Sequence, residues 1–177
     1  MEAAANAINT GDTAWMMIST ALVLLMTPGL AFFYGGMVQT RHVVSTIFQS
    51  ILAMGIVGII WAVAGYSLVF GRDQFGLIGN LDFAFLKGVG QEPFAAYSST
   101  IPHIMFMLFQ CMFAIITPAL ITGSFAERIR FKAWFWITVL WSIFIYVPAA
   151  HSVWAVGGWI RELGALDFAG GLVQDTR

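Results

Sequence analysis

The chain has 177 residues, of which 59% are apolar, 15% aromatic and only 10% charged, with 8 Lys+Arg against 9 Asp+Glu. Soluble domains carry about 25% charged residues, so this composition points to a membrane. It excludes an intrinsically disordered chain and a basic nucleic-acid surface. The single cysteine, Cys111, excludes a disulfide scaffold.

All 17 formal charges fall outside four windows, 13–40, 42–71, 93–126 and 133–160. A spanning helix needs ~20 apolar residues at 1.5 Å each. A charge at the bilayer centre costs roughly 2.5–3.5 kcal/mol. Continuous apolar runs argue against a β-barrel, whose strands alternate. The predicted architecture is therefore an all-α integral membrane protein, a polytopic bundle in one membrane domain over 1–177, located in the cell membrane.

The first predicted span covers 15–37 and contains Thr27-Pro28-Gly29, then Tyr34-Gly35-Gly36. The second covers 44–70, where Gly55 and Gly58 read as helix-packing positions. A connection over 71–102, rich in glycine, follows with little predicted helix. The third span covers 104–125 and contains Thr117-Pro118; the fourth covers 133–153. Proline removes a backbone donor and kinks a helix. Such breaks mark either close helix packing or a substrate-lining segment, and both readings stand. Trp15, Tyr34, Tyr66, Trp134, Trp136, Trp154 and Trp159 lie near span ends, as interfacial aromatic belts require.

Arg41 follows the first span, and Arg128, Arg130 and Lys132 follow the third. The positive-inside rule makes these short turns cytoplasmic, the N-terminus outside and 71–102 extracellular. Asp73 and its acidic neighbours then face outward, as a solvated rim. Among deep polar residues Gln110 is the clearest, and an interhelical hydrogen bond is its simplest role. His103 reads as interfacial, and His151 as a structural or proton-handling group. Asp167 precedes a glycine-rich turn, where its carboxylate is placed to accept backbone N–H bonds or cap a helix. No nucleophile–base pair, metal cluster or cofactor motif is present, so an enzyme is not indicated.

Ala31-Phe-Phe-Tyr-Gly-Gly36, Phe109-Gln-Cys-Met-Phe113, Gly123-Ser-Phe-Ala-Glu-Arg-Ile-Arg-Phe131, His151-Ser-Val-Trp154 and Gly164-Ala-Leu-Asp-Phe-Ala-Gly-Gly171 follow one another along nearly the whole chain. In order and spacing they resemble the ammonium transporter family (Amt/MEP/Rh). That resemblance implies a homotrimer of eleven-helix subunits, each built from two five-helix halves of inverted topology with its own pore. This chain corresponds to the first half, with a fifth helix begun over 164–177.

The resemblance also implies roles. Trp154 matches the aromatic residue of an outer vestibule that binds NH4+. Phe113 matches the phenylalanine that walls this site and gates the pore, with Phe109 beside it. Asp167 matches a carboxylate that organises the site. Ammonium and ammonia are the implied substrates, and the lipid bilayer and a PII-type regulatory protein the implied partners. The family's pore-histidine position falls on Asp175, where a carboxylate is costly in a membrane pore. A truncated reading frame or fragment accounts for the last residues, and this chain alone is expected not to conduct. The alternative is a non-transporting membrane interaction or ammonium-sensing subunit.

Overall fold

A computed structural model describes residues 8–167 and 170–174. Helix α1 runs Thr10–Met37, and a 3-10 turn at Thr40–His42 leads into α2, Val43–Ile60. A π turn at Trp61–Gly65 joins α2 to α3, Tyr66–Phe70. Two small antiparallel hairpins follow, β1 Asp73–Gln74 with β2 Ile78–Gly79, and β3 Pro93–Phe94 with β4 Ser98–Pro102. Helix α4 spans His103–Phe125 and α5 spans Phe131–Trp141. A second π turn, Ser142–Tyr146, leads into α6, Val147–Trp154. Two short helices follow, α7 Trp159–Glu162 and α8 Gly171–Gln174.

Among the described residues, four helical stretches are long and apolar enough to cross a membrane: Thr10–Met37, Thr40–Phe70, His103–Phe125 and Phe131–Glu162. The first has 28 residues, which is about 42 Å at 1.5 Å per residue and exceeds the ~30 Å hydrocarbon core. It begins at Thr10 because Asn9 caps it: the Asn9 side chain accepts the N–H of Gly11 at 2.8 Å and of Asp12 at 3.1 Å. The N–H of Asn9 bonds to the Thr100 carbonyl at 2.8 Å, which fixes the start of α1 beside β4. At the other end, the Gln39 N–H donates to a Glu127 carboxylate oxygen at 2.7 Å, tying the α1–α2 and α4–α5 turns together.

Lipid is as apolar as leucine, so helices in a bilayer associate through close packing and small residues. Ala31, Gly35 and Gly123 do this here. A Cβ on Gly35 would lie 2.9 Å from Ile47, and one on Gly123 would lie 2.6 Å from the Tyr34 ring. Tyr34 donates its hydroxyl to the Leu120 carbonyl at 2.8 Å, locking α1 to α4. Replacing Tyr34 with phenylalanine removes this bond and destabilises the chain by about 1 kcal/mol, measured by unfolding in detergent. Gly55 and Gly58, the glycines singled out for packing, meet nothing within 4 Å. Among the described residues no other helix packs against the positions their side chains would take.

Other expectations are corrected too. Helices α1 and α4 continue through Pro28 and Pro118. The irregularities lie instead at the two π turns, where the N–H of Tyr66 reaches back to Trp61 and that of Val147 to Ser142. Pro148, which has no N–H, follows the second of these directly. The side chains of the two π turns meet: Trp61 packs edge-on to Tyr146 at 6.3 Å. Tyr66 and Trp134, assigned to interfacial belts, are core residues at 0% and 1% exposure, whereas Trp15, Trp136 and Trp159 are exposed.

Candidate functional site

A cavity of about 210 Å³ opens between α4, the end of α6 and the segment before α8. Phe109, Gln110 and Phe113 reach it from successive turns of α4, and Phe106 from the turn above. The 3.6-residue period places these side chains on one helix face. Trp154, the last residue of α6, closes the opposite side with Asp167 and Gly170. Phe70 and Tyr97 complete the wall from α3 and from the β3–β4 turn.

The rings interlock edge to face, the arrangement the aromatic quadrupole favours. Phe109 and Phe113 lie 5.0 Å apart at 78°. Phe113 and Trp154 lie 6.3 Å apart at 68°. Phe70 meets Phe106 at 5.0 Å and 77°, and Tyr97 stacks on Phe106 at 5.6 Å. The structure thus brings Phe109, Phe113, Trp154 and Asp167 to one cavity. Asp175 lies outside the described residues.

Asp167 acts at two atoms. Its backbone carbonyl accepts the indole N–H of Trp154 at 3.1 Å, and its carboxylate accepts the N–H of Leu172 at 3.2 Å in the first turn of α8. The Trp154 ring plane is therefore set from one side by the Asp167 backbone. From the other side Arg161 donates to the Trp154 carbonyl at 2.6 Å and lies 5.9 Å from the Tyr97 ring centroid.

Tyr97, Phe106 and Phe70 carried no sequence signal for this site. Tyr97 sits in an irregular connection, and its hydroxyl accepts the Val156 N–H at 2.8 Å. Burial pushes its phenol above the usual tyrosine range, against the lowering effects of the Val156 bond and Arg161. Its hydroxyl stays neutral through ordinary pH, a polar atom beside an aromatic cavity.

Three polar residues differ from expectation. Among the described residues Gln110 makes no interhelical bond: its carbonyl oxygen is buried without a hydrogen-bond partner there, beside the cavity that the residue lines. His103 is buried rather than interfacial. It hydrogen-bonds the Tyr66 hydroxyl and stacks on Phe94 with centroids 4.3 Å apart. Asp73, expected on a solvated rim, is paired with the buried His151. Cys111 is a buried free thiol.

What the cavity can do follows from its surfaces. Aromatic faces attract a small cation by ~0.5–2 kcal/mol per ring once it sheds water. The neighbouring oxygens of Gln110 and Tyr97 supply polar partners.

The chain matches the family described as Ammonium Transporter Family over residues 14–174. It is 53% identical to the Bacillus subtilis protein named ammonium transporter over 163 residues, covering 92% of this chain and 40% of that one. It is 46% identical to ammonium transporter 1 of Dictyostelium discoideum, covering 94% and 36%. Its fold matches the crystal structure of Saccharomyces cerevisiae Mep2 with a TM-score of 0.83 at 34% identity, over 94% of this chain and 37% of that one. The chain thus spans well under half the length of these relatives.

Proposed function

Because the chain belongs to the ammonium transporter family and is a multi-pass membrane protein, we propose that its aromatic cavity is the vestibule that recruits NH4+ from outside the cell. The observation that carries this reading is the Phe113–Trp154 pair, two rings facing one cavity with the indole pinned by Asp167. NH4+ exchanges hydration water for the π faces of Trp154 and Phe113. Phe109 and Phe113 form the constriction beside it, at the entry to an apolar path. A low-dielectric path disfavours the charged species, so the ion gives up a proton there and NH3 passes on.

Asp167 is a positioning residue in this scheme and does not touch the ion. Alanine at Asp167 removes the bond to Leu172 and loosens the segment whose carbonyl holds Trp154. Half-saturation by ammonium then rises by roughly tenfold, worth about 1.4 kcal/mol. Asparagine retains an acceptor and recovers most of the loss. Uptake at graded ammonium concentration in a full-length family member carrying these residues checks both.

The transporting unit is a homotrimer of eleven-helix subunits in the lipid bilayer, with the N-terminus of this chain outside and a PII-type protein as regulator. Family membership supports this. So does the surface of α1, where Leu22, Leu25, Phe32 and Met37 are exposed and suited to lipid or a neighbouring subunit. Residues 1–177 alone contribute the vestibule and do not conduct. Cells expressing only this chain take up no methylammonium above background; robust uptake overturns that assignment.

A further inference from the structure

The turn between β3 and β4 carries Tyr97 into the cavity wall. The Tyr97 N–H closes this turn on the Phe94 carbonyl at 2.9 Å, the bond of a four-residue β-turn. The turn has a firm base. Phe94 stacks on His103 with centroids 4.3 Å apart. The His103 N–H bonds to the Glu92 carbonyl at 3.1 Å, and the Ile104 N–H to the Gly90 carbonyl at 3.0 Å. The loop is tied in this way to the first turn of α4.

From that base the Tyr97 side chain reaches both walls of the cavity. On the α4 side its ring stacks on Phe106, with centroids 5.6 Å apart and planes 20° from parallel. Phe70 meets it edge-on at 5.1 Å, and Phe94 packs against it at 5.1 Å. On the α6 side its hydroxyl accepts the Val156 N–H at 2.8 Å, two residues beyond Trp154. Arg161 closes the circuit. It donates to the Trp154 carbonyl at 2.6 Å, and its guanidinium lies 5.9 Å from the Tyr97 ring centroid. The two walls touch directly at Phe113 and Trp154. Phe106 lies seven residues before Phe113 on α4, about 10 Å along the axis. At that level Tyr97 spans the walls.

We propose that Tyr97 is a spacer that sets the width of the cavity mouth, and with it the size of the ammonium ion admitted, favouring ammonium over its alkylated forms. This rests on the reading of the cavity as the cation site. The physical reason is rigidity. A tyrosine ring turns about two bonds, and here it is pinned at both ends, by three aromatic neighbours and by the Val156 bond. It cannot fold aside for an added methyl group as an aliphatic chain would, so a larger ion crowds it. Arg161 already stands over the ring, within the ~6 Å reach of a cation–π contact. Tyr97 therefore acts through its shape, as a positioning residue, and the ion binds at Trp154.

The test follows uptake of labelled methylammonium by a full-length family member carrying these residues. Unlabelled ammonium, ethylammonium and dimethylammonium are the competitors. In the native protein the half-inhibiting concentration rises by roughly tenfold or more for each carbon added. Tyr97→Leu removes the ring and the Val156 bond, and the ethylammonium-to-ammonium ratio falls by roughly tenfold. The ammonium value itself moves far less. Tyr97→Phe keeps the ring and loses only the Val156 bond, and its ratio falls by roughly threefold; where the leucine variant does not reach the membrane, this ratio decides alone. A native ratio in both variants overturns the proposal. So does a uniform weakening of all competitors with their ratio unchanged, which is what a purely structural role gives. Trp154→Leu separates the two readings. If it shifts the ammonium value while the Tyr97 variants keep the native ratio, the spacer falls and the cation site stands. If it leaves the ammonium value unmoved, the cation site falls and the spacer with it.

Discussion

Leucine in place of Trp154 raises the ammonium concentration for half-saturation by roughly 30-fold in a full-length family member carrying this sequence. The substitution removes one π face, worth ~0.5–2 kcal/mol toward a desolvated cation. It also removes the indole N–H that bonds the Asp167 carbonyl at 3.1 Å, worth about 1 kcal/mol. Together these give about 2 kcal/mol. The loss falls on capture, since the apolar path beyond Phe113 is untouched, so the maximal rate changes less than the half-saturation point. Phenylalanine at 154 keeps a ring and loses only the N–H, so its shift is severalfold smaller. Uptake curves for the three proteins separate the two contributions. An unchanged half-saturation point in the leucine variant removes Trp154 from the cation site.

Alanine at Gly158 destabilises the chain by about 3 kcal/mol, the upper end of the overpacking range. A Cβ there would lie 2.4 Å from the His151 carbonyl oxygen and 2.5 Å from that of Ser152. Both are backbone atoms in the last turn of α6, so no side chain can rotate away to make room. The strain lands on the turn that carries His151 and Trp154, and substrate capture falls with stability. Gly164 is the control. It has φ of +85° and no neighbour within 4 Å of an added Cβ, so alanine there meets only the left-handed backbone cost of about 1–2 kcal/mol. Unfolding in detergent, run on both variants, distinguishes crowding from conformational strain. Equal losses contradict the crowding argument.

The membrane spans are legible in the sequence because lipid imposes its chemistry on every residue of a helix: each charge-free window is a statement about solvation. The ends were less legible. Helix α1 starts at Thr10 through a polar Asn9 cap that hydropathy does not register. The π turns at Trp61–Gly65 and Ser142–Tyr146 arise from packing between helices and have no letter of their own. An aromatic near a span end says little about which way it faces, so Tyr66 and Trp134 resemble belt residues while lying in the core. Gly123 packs against Tyr34, whereas a Cβ on Gly55 or Gly58 would meet no neighbour among the described residues, and nothing local distinguishes them.

The candidate site divides in the same way. Phe109, Phe113, Trp154 and Asp167 were singled out by motifs in fixed order. Tyr97 and Phe106 join them only after the β3–β4 turn folds back on α4. The His151–Asp73 pair depends on a hairpin docking onto a helix end 78 residues away, which no local pattern encodes.

The most direct test of the central claim is a structure of a full-length family member carrying these residues, determined in saturating methylammonium. The account predicts density for the cation between the Trp154 and Phe113 rings, with the indole still bonded to Asp167. Density lodged elsewhere, with this cavity empty at saturation, contradicts it.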